Sequence, residues 1–236
     1  MTPVTPGQGA ADKVRQPRAV IFDLDGTLAD SAPDIAAALN ASLEGRGLET
    51  LSLAAVKLLV GGGARLLTER ALAANGIVGD AIRIDTLLAD FLDRYRAEPY
   101  VRTQLYPGAR DALEQLAARG FALGVATNKP DDLTQAIVDG LGIRTYFGSV
   151  IGSVPGLALK PAPEILFKVC AALGAGPAEA IMVGDSAADL GAARAAGMGC
   201  ILFTHGYSSK PVHTFGAAAV VTGFAELDEA LQVFIG

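Results

Sequence analysis

Several features that mark particular protein classes are missing from this sequence. The 236 residues include no tryptophan and few other aromatic residues, so a buried core must be mostly aliphatic. The sequence has only two cysteines, Cys170 and Cys200, and both lie within apolar periodic segments. We expect them to be small core residues rather than a disulfide or a catalytic pair, which fits a reducing compartment.

Charge and hydropathy argue against a nucleic-acid-binding protein and against a membrane protein. The net charge is −6 and no block rich in lysine and arginine is present, so we expect no nucleic-acid partner and no anionic membrane partner. No apolar run approaches the roughly 18 residues of a transmembrane helix. Residues 1–16 lack the apolar stretch of a signal peptide, and their prolines and glycines indicate a flexible tail. We therefore expect a cytoplasmic protein, either a monomer or a homodimer.

Short apolar runs alternate with helical periodicity along most of the chain. The runs at residues 18–22, 121–126 and 180–183 are typical of buried strands, and helical spacing separates the later ones. Strands that alternate with helices form parallel sheets covered on both faces. The sequence therefore predicts an α/β fold with a Rossmann-like, doubly wound parallel sheet.

One long segment departs from this alternation. Residues 31–100 show helical spacing without a strand, and Ser31 is the expected N-cap of the first helix. The predicted helices cover residues 31–43, 51–59, 64–74 and 81–95. We predict a core domain formed by residues 17–30 and 101–236, with residues 31–100 inserted as a helical cap domain.

Two aspartates stand where the first predicted strand ends. Asp23 and Asp25 are two residues apart, so strand alternation points both side chains to the same side. Two bare carboxylates that close repel by about 4 kcal/mol at an effective dielectric near 20. A proton, a cation or water must offset this repulsion. A hard divalent ion such as Mg²⁺ suits oxygen ligands best.

Other polar groups follow the later strands. Thr127 and Asn128 end the second strand, and Asp185 ends the third. Because parallel strands share one carboxyl edge, where ligands bind in open α/β sheets, these groups can converge with Asp23. The Thr127 hydroxyl and the Asn128 backbone N–H suit a phosphate oxygen. Lys160, just before a helix, adds a compact positive charge.

Each of these residues taken alone also fits a structural role. Asp25-Gly26 could form a solvated turn, and Thr127 and Asp185 could cap helices. Lys160 could be a solvated loop lysine, and Asp189 could lie on an exposed helix face. The joint order and spacing of all these residues favours a functional site.

These residues also occur in a familiar order. The haloacid dehalogenase superfamily has four motifs, and this sequence resembles them at Asp23-x-Asp25-Gly-Thr, Thr127, Lys160-Pro161 and Gly184-Asp185-Ser-x-x-Asp189. The resemblance covers roughly residues 18–235. Within the superfamily, phosphoglycolate phosphatases are similar in the cap loop Val60-Gly-Gly-Gly-Ala-Arg65 and in the segments Tyr106-Pro107-Gly108, 124–130 and His205-Gly206-Tyr207.

The resemblance implies a phosphatase in which each motif has a role. Asp23 would attack phosphorus and form an aspartyl-phosphate. Asp25 would protonate the departing alkoxide and then take a proton from the hydrolytic water, whereas dehalogenases need no acid at that position. Thr127 and Asn128 would hold phosphate oxygens, and Lys160 would steady Asp23 and the phosphoryl group.

The same resemblance implies a metal site and a substrate loop. Asp185 would ligate Mg²⁺ together with Asp23 and the backbone carbonyl of Asp25, and Asp189 would fix the metal loop. Relatives often carry asparagine in the cap glycine loop, where this chain has Gly62 and Gly63. Arg65 is the charged group left near the substrate; it could bind a carboxylate, or it could be a solvated helix arginine.

Several functions remain open at this point. The leading hypothesis is a Mg²⁺-dependent phosphatase for a small phosphorylated metabolite, with 2-phosphoglycolate the best single substrate. The alternatives are a phosphatase for a sugar phosphate, pyrophosphate or nucleotide, and a phosphotransferase of the β-phosphoglucomutase kind. A non-catalytic binding protein that retains the fold is a third class. Free phosphate as product separates the hydrolases from the other two.

Overall fold

The protein is represented by a computed structural model that describes residues 17–235, so the predicted tail at residues 1–16 lies outside it. The strands are β1 (Ala19–Phe22), β2 (Ala29–Asp30), β3 (Gln104–Leu105), β4 (Ala122–Pro130), β5 (Ser149–Ser153), β6 (Ala180–Gly184), β7 (Gly199–Phe203) and β8 (Ala219–Val221). The helices are α1 (Ala32–Glu44), α2 (Leu53–Lys57), α3 (Ala64–Ala74), α4 (Ala81–Ala97), α5 (Ala109–Ala118), α6 (Asp131–Gly140), α7 (Glu164–Leu173), α8 (Ala187–Ala196) and α9 (Leu227–Ile235).

The main sheet has the strand order β5-β4-β1-β6-β7-β8. Every neighbouring pair in it is parallel, and β1 lies between β4 and β6. The chain therefore builds outward from β1 in both directions, as a doubly wound sheet does. This confirms the α/β fold predicted from the alternation of strands and helices.

Both faces of the sheet are buried, because alternate residues of each strand join different hydrophobic clusters. In β1, Val20 and Phe22 belong to the cluster that includes residues of α5 and α9. Ala19 and Ile21 belong to the cluster that includes residues of α7 and α8. A strand covered on both sides reads as a continuous apolar run, which is why β1 shows no polar alternation.

The helices α1 to α4 fill the segment between β2 and β3. These two short strands pair antiparallel, with Ala29 opposite Leu105 and Asp30 opposite Gln104. They mark where the chain leaves the sheet region and returns to it. The sequence did not predict them, because two residues are too few to show a strand period.

A buried aspartate holds the returning chain. Asp34 in α1 accepts hydrogen bonds from the backbone N–H groups of Arg102 (2.8 Å to Oδ2) and Thr103 (2.7 Å). The Thr103 hydroxyl also donates to Asp34, at 2.7 Å. Carboxylate bonds to backbone N–H groups are charge-assisted and strong, so they fix α1 against the segment that leads into β3.

Three further expectations can be compared with the structure. Cys170 and Cys200 are free and buried, as predicted. The helix expected directly after Lys160 begins at Glu164, because a residue before proline is disfavoured in helical geometry and Ala162 precedes Pro163. Among residues 17–235 no helix is both long and apolar enough to cross a membrane.

We expect Asp34→Ala to lower the free energy of unfolding by about 2–4 kcal/mol. The substitution leaves two backbone N–H groups and one hydroxyl without their acceptor, and unsatisfied buried donors cost roughly 1–3 kcal/mol each before water relieves them. Chemical denaturation followed by circular dichroism measures the change.

The control is Asp93→Ala, which removes an exposed carboxylate of α4 and should change stability by less than about 0.5 kcal/mol. Equal effects of the two substitutions would show that Asp34 does not hold the returning chain.

Candidate active site

The carboxyl edge of the sheet collects polar side chains from three adjacent strands. Asp23 follows β1, Thr127 and Asn128 lie in the last part of β4, and Asp185 follows β6. Because β4, β1 and β6 are neighbours and parallel, their ends meet at one place. The structure therefore brings these predicted residues together.

Asp23 is buried at the centre of this edge. Its Oδ1 accepts a hydrogen bond from the Leu24 N–H at 2.7 Å and lies 3.0 Å from the Lys160 Nζ. Burial raises the pKa of Asp23 to about 6, and the negative charges of Asp189 and Asp25 act in the same direction. Lys160 opposes this rise. Burial therefore outweighs the opposing effect of the Lys160 charge on this pKa.

Asp23, Asp185 and Asp189 form a compact acidic cluster. One carboxylate oxygen from each lies within 4.8 Å of the others, and all three residues are buried. Burial raises the pKa of Asp185 well above its usual range, and the charges of Asp189 and Asp23 raise it further. Such a cluster would gain stability from a bound cation.

Both carboxylate oxygens of Asp189 bind groups of the protein itself. Oδ1 binds the Lys160 Nζ at 2.7 Å, and Oδ2 accepts from the N–H groups of Asp185 (3.2 Å) and Ser186 (3.0 Å). The Ser186 hydroxyl also donates to Oδ2, at 2.6 Å. Ser186, rather than Asp185, is the N-cap of α8. The two structural alternatives raised for Asp185 and Asp189 therefore do not describe their positions.

Lys160 is buried, which rules out the solvated loop lysine. Its Nζ contacts Asp23, Asp189 and the backbone carbonyl of Ala126 at 2.8 Å. Burial alone would lower the pKa of Lys160, but the charges of Asp189 and Asp23 outweigh it and hold the pKa above its usual value. The lysine stays charged and is the compensating cation of the site.

The side chain of Asn128 connects three segments. Its Oδ1 accepts from the Lys160 N–H at 2.8 Å, and its Nδ2 donates to the carbonyls of Lys160 (2.9 Å) and Gly61 (3.0 Å). The first two bonds fasten the Lys160 segment to β4. The third joins β4 to the glycine loop that precedes α3.

Asp25 has partners that the sequence analysis missed. Lys129 Nζ lies 2.9 Å from Oδ1 and 3.0 Å from Oδ2, and the Ser31 hydroxyl donates to Oδ1 at 2.5 Å. Ser31 occupies the N-cap position of α1, as predicted, but its side chain makes no capping bond. The period of two along a strand places residues 127 and 129 on the same side, which was the available signal for Lys129.

Tyr207 fixes the loop that carries Asp185, a role that its place in the segment His205-Gly206-Tyr207 did not predict. Its N–H donates to Asp185 Oδ2 at 2.6 Å, and its hydroxyl donates to Asp30 Oδ1 at 2.6 Å. A Cβ on the neighbouring Gly206 would lie 2.1 Å from the same Asp185 oxygen. Only glycine fits there, since no side chain atom can approach a carboxylate so closely.

Two cavities adjoin these residues. The inner one, of about 50 Å³, lies between Asp23, Asp25 and Lys129 on one side and apolar side chains of α3 and α4 on the other. The outer cleft, of about 440 Å³, is lined by Lys160, Asp185 and Arg70 among others. Asp25 and Gly61 border both, so the inner cavity and the outer cleft adjoin at these residues.

Known proteins match this chain over most of its length. A sequence model of the haloacid dehalogenase-like hydrolases matches residues 17–197. The chain belongs to the haloacid dehalogenase-like hydrolase family. This confirms the resemblance seen in the four motifs.

Several relatives of this hydrolase are described as phosphoglycolate phosphatases. This chain is 43% identical over 219 residues to a phosphoglycolate phosphatase of Rhodospirillum rubrum, and the match covers 91% of each chain. It is 38% identical to one of Caulobacter vibrioides, covering 89% of each. A solved structure of a predicted phosphoglycolate phosphatase from Haemophilus somnus superposes with a TM-score of 0.84 at 31% identity, covering 91% of this chain and 98% of that one.

The donor set of this hydrolase fits a divalent metal ion. Asp23 and Asp185 offer hard carboxylate oxygens close together in a buried place. Burial raises the pKa of both groups and the neighbouring carboxylates raise it further, an effect that a bound cation would offset. Asp189 serves Lys160 and the loop instead. The Asp25 side chain faces Lys129, so a contribution of this residue to the metal would come from its backbone carbonyl, as the resemblance implies.

The glycine loop borders the two cavities, whereas Arg65 does not. Gly61 and Gly63 border the inner cavity and Gly62 borders the outer cleft. Arg65 does not line either space: its side chain is 57% exposed and forms an ion pair with Asp85 at 2.5 Å. Proximity in sequence to the loop suggested Arg65, but the turn of α3 carries it outward. Arg70, also on α3, lines the outer cleft.

We expect Mg²⁺ to raise the melting temperature of this hydrolase by about 5–10 °C at roughly a hundredfold excess over its Kd, since only the folded state assembles the site. Asp185→Asn should lose this shift. In chelator the variant should be at least as stable as the wild type, because it removes a buried charge whose pKa is already raised. Differential scanning calorimetry measures both.

The control is Asp139→Asn, a change at an exposed carboxylate paired with Arg144. It should keep the full Mg²⁺ shift. A full shift in Asp185→Asn would place the ion elsewhere.

Proposed function

We propose that this hydrolase is a Mg²⁺-dependent phosphatase that converts 2-phosphoglycolate to glycolate and phosphate through an aspartyl-phosphate on Asp23. One observation carries the proposal: Asp23, Asp25, Lys160 and Asp185 converge at one sheet edge in a chain similar over its whole core to phosphoglycolate phosphatases.

Asp23 is suited to be the nucleophile. Its carboxylate oxygen would form a bond to phosphorus while the bond from phosphorus to the glycolate oxygen breaks. Lys160, 3.0 Å from Asp23, would offset the charge of the phosphoryl group. The Thr127 hydroxyl and the Asn128 backbone N–H, at the end of the neighbouring strand β4, would hold phosphoryl oxygens.

Asp25 is suited to move the proton. In the first step it would donate a proton to the departing alkoxide oxygen, which becomes the hydroxyl group of glycolate. In the second step it would take a proton from water, whose oxygen attacks phosphorus and releases Asp23 and phosphate. Asp25 borders the inner cavity together with Asp23, which puts both carboxylates beside the same space.

Asp23, Asp185 and the backbone carbonyl of Asp25 would hold Mg²⁺. When bound, the ion would neutralise negative charge that develops on the phosphoryl oxygens. Asp189 would keep Asp185 in place through the backbone N–H bond of the metal loop.

The helices of residues 31–100 would serve as a cap over the site. Their apolar side chains close one side of the inner cavity, which would exclude water during the first step. The substrate would be a free metabolite, and we place the activity in the cytoplasm, where the free thiols of Cys170 and Cys200 stay reduced.

Phosphate release from 2-phosphoglycolate is the decisive assay. We expect activity that depends on Mg²⁺, disappears with chelator and exceeds that on glucose 6-phosphate, pyrophosphate and nucleoside monophosphates. Asp23→Asn should lower kcat at least about a thousandfold, because an amide oxygen is a poor nucleophile. Asp139→Asn, an exposed change, should leave kcat unaltered.

The outcomes separate the alternatives. No phosphate from any ester would exclude the phosphatase. Activity on the panel without 2-phosphoglycolate would exclude only this substrate. Isomerised sugar phosphate in place of free phosphate would indicate a phosphotransferase.

Arg70 is our assignment for the substrate carboxylate, because it lines the outer cleft whereas Arg65 pairs with Asp85. We expect Arg70→Ala to raise KM for 2-phosphoglycolate about tenfold, which corresponds to about 1.4 kcal/mol. Ethyl phosphate, which has no carboxylate, should be affected less. Arg65→Ala is the matched control on the same helix and should change KM less than twofold; the reverse pattern would return the role to Arg65.

A further inference from the structure

Lys129 is a buried cation that the proposed chemistry does not use. Its side chain is 2% exposed, and its ammonium group binds both carboxylate oxygens of Asp25. A third bond, of 2.7 Å, joins it to the hydroxyl of Tyr95. A buried lysine normally needs such a complete set of acceptors, because an unpaired charge in the interior is costly.

Tyr95 comes from a different part of the fold. Lys129 lies in β4 of the sheet, whereas Tyr95 lies in α4 of the helical insert. The Tyr95 ring is buried and stacks on Phe91 with ring centroids 5.7 Å apart. Packing against Phe91 holds the hydroxyl in a fixed place on α4. The Tyr95–Lys129 bond therefore ties the insert to the residue that binds Asp25.

These contacts fix the plane of the Asp25 carboxylate. Lys129 bridges the two oxygens, and the Ser31 hydroxyl holds Oδ1. A carboxyl group has about four lone-pair positions, and Oδ2 has Lys129 as its only partner among the hydrogen bonds of residues 17–235. Oδ2 therefore keeps a position free for the proton that Asp25 would transfer. Proton transfer requires the donor oxygen to lie within hydrogen-bond reach of the leaving oxygen, and a small misplacement of the donor lowers the rate.

We propose that Lys129 and Tyr95 are positioning residues for Asp25, and that Tyr95 makes the placement of this carboxylate depend on docking of α4. The inference rests on the proposed role of Asp25 as the proton donor. Neither residue needs to contact the phosphoryl group. Their effect reaches the reaction only through the position of the Asp25 oxygen that faces the leaving group.

The test compares leaving groups in Tyr95→Phe, which keeps the stacked ring and removes only the hydroxyl. An alkoxide such as glycolate needs a proton as it departs, whereas p-nitrophenolate leaves without one. We expect kcat for 2-phosphoglycolate, or for the best alkyl ester found, to fall about tenfold with KM within twofold. We expect kcat for p-nitrophenyl phosphate to stay within twofold.

Three further variants make the comparison specific. Tyr100→Phe removes an exposed hydroxyl from the segment after α4 and should change neither substrate. Tyr95→Phe added to Asp25→Asn should cause no further loss on the alkyl ester, because the residue through which Tyr95 acts is already disabled. Lys129→Met should show the same leaving-group dependence as Tyr95→Phe, with a larger loss.

Several results would overturn the inference. Equal losses of kcat on both substrates would give Tyr95 a structural role. A rise in KM alone would make Tyr95 a substrate contact. Unchanged kcat and KM would show that Tyr95 does not act on the reaction. Additive losses of kcat in the double variant would also contradict the inference, because they would show that Tyr95 does not act through Asp25. Should the wild type hydrolyse no phosphate ester, the proposed function fails instead, and this outcome is distinct because it precedes any variant.

Discussion

The buried ion contacts of Lys160 are the interaction on which the site depends. Asp23, Asp185 and Asp189 lie within 4.8 Å of one another in a buried place, and Lys160 binds two of them. Without this charge the carboxylates would repel at short range or take up protons. One lysine does not balance three carboxylates, and the remaining negative charge is what makes the cluster a place for a divalent ion.

Most of the polar structure around the site serves to hold this arrangement. Asn128 fastens the Lys160 segment to β4 through two hydrogen bonds, and Asp189 holds the loop that carries Asp185 through two backbone N–H groups. Tyr207 binds Asp185 from the other side. Because each reactive group has such a support, the site is preorganised and does not have to be assembled when a ligand arrives.

The helical insert meets the sheet edge through a few directed bonds. The Gly61 carbonyl accepts from Asn128, the Tyr95 hydroxyl accepts from Lys129, and the Ser31 hydroxyl donates to Asp25. Each bond ends on a residue beside the inner cavity. The position of the insert is therefore coupled to the geometry of the carboxylates, while its apolar side chains close the cavity. The assignment of residues 31–100 to a cap domain stays a prediction.

The sequence by itself determined the fold class and which polar residues lie at the carboxyl edge of the sheet. Parallel strands must end at one side, so Asp23, Thr127 and Asp185 were predicted to meet, and they do. Only the tertiary structure decided the pairings between distant elements. Lys129 and Tyr95 are 34 positions apart and meet because the tertiary fold brings the last part of α4 beside the end of β4. Arg65 was expected near the substrate, but the helical turn directs it to Asp85. Local periodicity sets where a side chain points on its own element; it carries no information on which element packs opposite.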